Sequence, residues 1–344
     1  MQIGSTPFNR FEIMRQQISD MQRNITRAQT EATTGRLADP VSELGSQNAD
    51  RISWSAASER LSVITDSNQV IIGRLSASQL GLDAVSDSLT SFSQTLTATI
   101  GGDASNTLLR NVSTSAVESL KTAINTQFGN TFVFGGTATN RPPIGDLSDA
   151  ATTLETEFQN HFGFPTNDPQ VAGITDDQMT TFLETVAEPA LTGAAWATDF
   201  FDGVGDPIRA RISPDETSTV SITADEFAMR QSLVSAFLAQ ELSQLELNDD
   251  AVRALASHSL SLAANGSVGI AELQGQISVV EEKLSVTNDR LLAHGSRLQQ
   301  SADELVAVDP FQAATEFTTL VTQLETAYTL TGRLQQLSLM RFIA

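Results

Sequence analysis

The chain has 344 residues, 40% of them hydrophobic and only 6% aromatic, with no cysteine and a formal net charge of −21 at pH 7. This length can bury a proper core in one to three domains, and the scarcity of aromatics fits long helices better than a sandwich of sheets. Lys121 and Lys283 are the only lysines, so the basic face that nucleic acid requires is missing, an anionic membrane surface is disfavoured, and no apolar run nears the roughly 20 residues of a bilayer span. Without cysteine there can be no disulfide, thiolate metal site or cysteine nucleophile.

Residues 1–7 are short and polar. From Phe8 the pattern becomes periodic: Phe11, Met14, Ile18, Met21, Ile25, Ala28 and Ala32 follow in steps of three and four. Steps averaging three and a half residues return side chains to one line on a helix, which predicts a narrow apolar seam. Thr34-Gly35-Arg36 closes this helix, with glycine where the chain needs a positive φ. Residues 37–48, with Asp39-Pro40, are read as a loop. A second helix is expected over 49–100, with Ala57, Leu61, Ile64, Asn68, Ile71, Leu75, Ser78, Leu82, Val85, Leu89, Phe92 and Leu96 on its stripe. A third is expected over 106–128, carrying Leu108, Val112, Ala116, Leu120, Ile124 and Phe128. Thr131-Phe132-Val133-Phe134 before Gly135-Gly136 then changes the period and reads as a hairpin or strand end.

Residues 137–223 differ in composition. They hold fourteen acidic residues against Arg141, Arg209 and Arg211, a net charge of −11, and so belong at the water-facing surface. Strands are expected at 208–212 and 219–223 and a short helix at 177–188. Helical periodicity resumes at Ala224 through Phe227, Leu233, Phe237, Leu242 and Leu245, followed by a helix over 249–264 and a break at Gly266–Gly269. A long seam comes next: Ile270, Leu273, Ile277, Val280, Leu284, Leu291, Leu298, Leu305 and Val308, interrupted by Thr287, His294 and Ser301. Asp309-Pro310 stops that helix and starts another, since proline cannot continue the old hydrogen-bond ladder but suits a first turn. The last helix carries Phe317, Leu320, Leu324, Ala327, Thr331 and Leu334 and ends on Leu337, Leu339, Met340, Phe342 and Ile343.

The expected fold is mainly α: a long antiparallel helical bundle or coiled coil built from both chain termini, with an inserted small β-rich or α+β domain. Its segments are an N-terminal assembly helix and loop (1–48), two halves of a central bundle (49–136 and 224–308), the acidic insertion (137–223) and a C-terminal assembly helix (309–344).

Nothing in this pattern suggests catalysis, a metal or a cofactor. His161, His258 and His294 lie on separate segments, none at ligand spacing with another. His294 reads as a polar interruption of the seam. Asp176-Asp177 and Asp249-Asp250 precede helical runs and are explained as helix starts. Gly203-Val204-Gly205 lacks the further glycine and the βαβ frame of a dinucleotide site, and no Gly-x-Ser-x-Gly elbow occurs.

Thr34-Gly35-Arg36-Leu37 after the first heptads resembles the turn that ends the first helix in the flagellin superfamily. The stretch from Asn125 to Gly136, with Phe132, Phe134 and the paired glycines, resembles the hook-associated protein 3 family within it, as does the closing Leu337-Ser338-Leu339. The resemblance covers about the first 136 and last 120 residues. The chain departs from the family after the glycine turn, where only Ala38-Asp39-Pro40 and Glu43 stand near an expected acidic motif. The resemblance implies a structural subunit at the hook–filament junction of the bacterial flagellum, exported through the type III channel without a cleaved leader. It further implies an extracellular location and four kinds of partner: hook-associated protein 1, flagellin, copies of itself and a cytoplasmic export chaperone. Filament flagellin and a non-flagellar helical binding module are the alternatives.

The assembly interface expected from the terminal seams comprises Phe8, Phe11, Ile18, Met21, Ile25, Phe317, Leu320, Leu324, Tyr328, Leu334, Leu337, Leu339 and Phe342. These helices are rich in Thr, Gln and Ser, modest helix formers, so their ordering is expected to be coupled to packing against neighbouring subunits.

Overall fold

The protein is described by a computed structural model that defines the backbone of residues 7–102 and 105–343 and the side chains of 12–102 and 105–333. Three quarters of the chain is helical, with long helices from both termini packed together and two small antiparallel sheets. The main helices are α1 (Pro7–Thr34), α2 (Pro40–Leu44), α3 (Gln47–Ile100), α4 (Asn106–Ile124), α5 (Ser148–Phe162), α6 (Asp176–Phe182), α7 (Glu188–Thr192), α8 (Phe227–Leu242), α9 (Asp249–Val306) and α10 (Pro310–Ile343). Strands β1 (Gln127–Phe128) and β2 (Thr131–Phe132) form one hairpin, β3 (Arg209–Ser213) and β4 (Glu216–Thr219) the other. The chain divides into two compact units, residues 1–62 with 292–344, and residues 63–291.

In the second unit the seam of α3 is the spine of the core. Leu75, Leu82, Val85, Leu89, Phe92 and Leu96 are all buried, together with Leu109, Val117 and Leu120 of α4, Leu233, Val234, Phe237 and Leu238 of α8, and Leu255, Ile270, Ile277 and Leu284 of α9. Helices α4 and α8 pack on one another. A long amphipathic helix is thus covered from several sides, as its alternating stripe requires.

The insertion leaves and rejoins this bundle at one neck. Gly135 bridges Thr223, and the Ala224 amide donates to the Phe134 carbonyl at 2.9 Å. Beyond the neck the segment is of the α+β kind: α5, α6 and α7 with the β3–β4 hairpin. The expected short helix is α6 and α7 joined by a π turn at Leu183–Ala187. The insertion's aromatics join the same core as the bundle helices: Phe158 and Phe182 meet edge to face at 5.6 Å, Trp196 stacks on Phe200 at 5.2 Å, and Phe200 meets Phe237 of α8 edge to face at 5.1 Å. Arg230 of α8 fastens the insertion. Its guanidinium donates to the Thr192 carbonyl at 2.9 Å, pairs with Asp225 at 2.9 Å and lies 5.9 Å from the Trp196 ring.

Several local expectations are corrected. The break at Gly266–Gly269 does not exist, because α9 is continuous there. A Cβ on Gly266 would lie 2.6 Å from the Ser232 Oγ, and one on Gly269 2.5 Å from the Ala228 Cβ. These glycines are the notch that lets α8 approach α9, so the chain spends helix propensity on close packing. Helix α4 ends at Ile124, and Phe128 lies instead on β1, partly exposed. The Asn125 side chain ends that helix by accepting from the Ile144 amide at 3.0 Å and donating to its carbonyl at 2.9 Å. The loop over 37–48 contains α2, started by Asp39, whose carboxylate accepts from the Ser42 amide at 3.2 Å. His294 is exposed rather than on the buried seam; Gly295, Ala302 and Val306 are buried instead. A straight helix turns about 20° per heptad away from a strict seven-residue repeat, and over α9 that drift moves the buried line by one position.

Candidate assembly face

The first unit is built on two terminal helices joined by a double turn. Gly35, at φ 67°, ends α1 in the left-handed conformation that glycine adopts without strain. The chain then pairs with the end of α9. The Leu37 amide donates to the Val306 carbonyl at 2.8 Å, and the Val308 amide to the Gly35 carbonyl at 3.0 Å. Arg36 forms an ion pair with Asp303. The Glu31 carboxylate, buried beneath, accepts from the Ala38 amide at 3.2 Å. On the other side of the turn, Asp309 caps α10 by accepting from the Phe311 amide at 2.8 Å.

From this turn α1 and α10 run antiparallel against each other. Arg27 faces Glu316 at 3.4 Å, Gln22 donates to the Tyr328 hydroxyl at 3.0 Å, and the Thr331 hydroxyl lies 3.2 Å from the Met14 sulfur. These links lie progressively farther from the turn, so one register holds along the pair. The threonines of α10, among them Thr315, Thr318, Thr319, Thr322 and Thr326, donate their hydroxyls to the carbonyl four residues earlier. Satisfied in this way, each Thr offers a methyl group rather than a polar demand to its surroundings.

The pair does not bury its own seam. Ala28 and Ala313 are enclosed, but Ile18, Met21, Ile25, Phe317, Leu320 and Leu324 are only half-buried. Phe311 is 84% exposed, Leu330 53%, Ile13 51% and Tyr328 49%. Of the expected interface residues the structure therefore places Ile18, Met21, Ile25, Phe317, Leu320, Leu324 and Tyr328 on one two-helix element. Phe8, Phe11, Leu334, Leu337, Leu339 and Phe342 lie outside the residues whose side chains are described. Phe311 and Leu330, both exposed, were not among the expected residues because they fall off the three-and-four alternation. Their signal was position: a Phe straight after Asp-Pro, and a Leu between two Thr.

Among the described residues no group of three or more His, Asp or Glu side chains could hold a metal ion, and no helix is long and apolar enough to cross a membrane. The titratable groups displaced from their ordinary behaviour, Arg74, Asp146, Glu188 and His258, all lie in the other unit. Burial lowers Arg74. Bonds from the Ser148 hydroxyl and amide lower Asp146. Glu188 and His258 face each other at 3.2 Å between α7 and α9; burial and then the nearby Glu184 raise Glu188, while burial lowers His258 against a weaker upward pull from Glu184.

Comparison with known proteins accounts for both ends of the chain. Residues 10–139 match the bacterial flagellin N-terminal helical region and residues 264–343 the bacterial flagellin C-terminal helical region, together well over half of the sequence. A solved structure from Vibrio parahaemolyticus, assigned as a flagellar hook-associated protein, matches with a TM-score of 0.52 at 12% identity; the match covers 77% of this chain and 99% of that one. At that identity the likeness concerns the fold alone. No curated protein matches by sequence. The chain belongs to the bacterial flagellin superfamily, a family of structural, non-enzymatic proteins. It is a flagellar structural subunit.

Proposed function

We propose that this subunit sits at the hook–filament junction and joins hook-associated protein 1 to the flagellin filament through coiled-coil packing of its terminal helices. The observation that carries the reading is the half-covered apolar seam of α1 and α10. Fully burying a Leu or Phe contributes roughly 1.5–3 kcal/mol, so completing several half-buried positions offers a substantial gain that a neighbouring subunit can supply. The family-like stretch from Asn125 to Gly136 favours the junction over the filament. The interface comprises the thirteen residues named from the sequence together with Phe311 and Leu330. Export in unfolded form, with a chaperone masking the C-terminal helix until assembly, is what the family resemblance implies.

Deleting residues 334–344 tests the assembly reading. The truncated protein is expected to stay soluble and folded while failing to assemble with itself or with flagellin; assembly at the wild-type level would refute it. Electron microscopy of labelled protein on cells separates the two flagellar positions. Label confined to a short zone above the hook supports the junction, and label along the filament, with long filaments formed by purified protein, supports filament flagellin.

A further inference from the structure

Asn68 occupies a seam position of α3 where the pattern calls for an apolar residue, and it is wholly buried. Its amide nitrogen donates to the Asn288 Oδ1 on α9 at 2.8 Å and to the main-chain carbonyl of Ile212 at 2.9 Å. Ile212 sits at an irregularity of the hairpin: the β3–β4 register shifts between Arg211 and Ser213, and Ile212 itself is buried. A bulge turns a strand locally and frees backbone groups from the ladder. Here a freed carbonyl meets a wholly buried side chain that also bonds across from α3 to α9. Thr65 and Thr287, also buried, extend the polar layer beneath the hairpin.

A two-stranded hairpin is marginal by itself, so β3–β4 owes its order to what it rests on. Three kinds of contact hold it. The apolar side chains of Ile212 and Val220 are buried but non-directional. Lys283 of α9 pairs with Glu216 of β4 at 2.6 Å, with both side chains more than a third exposed, so water and salt weaken this link. The Asn68 bond is dry and directional, and breaking it would strand a buried carbonyl.

We propose that Asn68 is the positioning residue that orders the β3–β4 hairpin on the paired helices α3 and α9, and that the bulge at Ile212 serves to present its carbonyl to that amide. The retained asparagine in a mainly apolar seam is thereby explained: leucine at this position would remove the hairpin's buried, directional anchor.

Hydrogen exchange on the full-length protein tests this, with Asn68→Leu, Asn68→Asp and Lys283→Gln compared with wild type. In both Asn68 variants, amides of 209–219 are expected to exchange about tenfold faster or more, while those of α3 and α9 remain as protected as before. Lys283→Gln is expected to change the same amides by less than about threefold. The proposal is overturned if the hairpin stays protected in the Asn68 variants, or if Lys283→Gln frees it as much. It is equally overturned if both Asn68 variants lose protection across the helices, since Asn68 would then be a general core residue.

Discussion

The seam of α3 between Leu75 and Leu96 and the seam of α10 between Phe317 and Leu324 follow the same three-and-four alternation, yet their fates differ. Leu82, Leu89 and Leu96 are completely buried, whereas Phe317, Leu320 and Leu324 remain half open. The stripes are of one kind, and what differs is the number of neighbours. The core around α3 draws on α4, α8 and α9, while α10 has α1 on one side and threonine methyls facing outward elsewhere. A seam of this type covered on one side only is incomplete, and the proposed assembly would draw its binding energy from completing it.

Truncation on the two seams should separate them most widely. Leu89→Ala is expected to destabilise the monomer by about 2–5 kcal/mol, since it removes a fully buried side chain and leaves a cavity. Leu324→Ala should cost the monomer about 1 kcal/mol while sharply impairing assembly. Urea unfolding with a parallel polymerisation assay reads both, and equal monomer losses would erase the distinction. The glycines of α9 refine the comparison. Gly269→Ala meets the Ala228 Cβ at 2.5 Å and should cost roughly 1–3 kcal/mol. Gly275→Ala meets nothing within 4 Å and should instead stabilise by up to about 1 kcal/mol, through helix propensity alone. Opposite shifts in thermal midpoint are the expected result.

A smaller effect concerns pH. Burial holds His258 below the ordinary imidazole value of about 6.5, so the unfolded chain takes up a proton there before the folded one does. The stability tied to His258 is present above that value and is lost as pH falls through it. The facing carboxylates Glu184 and Glu188 moderate the loss. Glu188 runs the other way: its raised folded value means that its contribution is lost as pH rises out of the carboxylate range. Unfolding midpoints between pH 7.5 and 5.5 should therefore decline in wild type and flatten in His258→Gln, while the assembly face stays indifferent. The smallest change is expected from Arg27→Ala, whose exposed pairing with Glu316 is worth under about 1 kcal/mol and should fade further in salt.

Much of this fold was legible because helices of this length advertise themselves. The alternation of α3, the stop at Asp309-Pro310 and the glycine end at Gly35 are local signals that hold whatever surrounds them. Gly266 and Gly269 misled for a related reason: glycine discourages helix locally, and only the presence of α8 at contact distance makes it the residue that fits. His294 misled because a strict heptad count ignores the slow rotation of a straight helix. The half-buried positions of α1 and α10, such as Ile18, Ile25, Phe317 and Leu324, were readable from the stripe. Phe311 and Leu330 were not, because exposure depends on what is absent beside a residue, which a one-dimensional pattern does not encode.

The sequence by itself determined the helical class, the acidic insertion and the two apolar termini, since periodicity and charge are properties of the chain. Only the tertiary structure decided which stripes are satisfied within the subunit and which remain half covered, and that a lone asparagine in the seam answers to a bulged strand more than a hundred residues away. Burial is a relation between elements, and it exists only once they have been brought together.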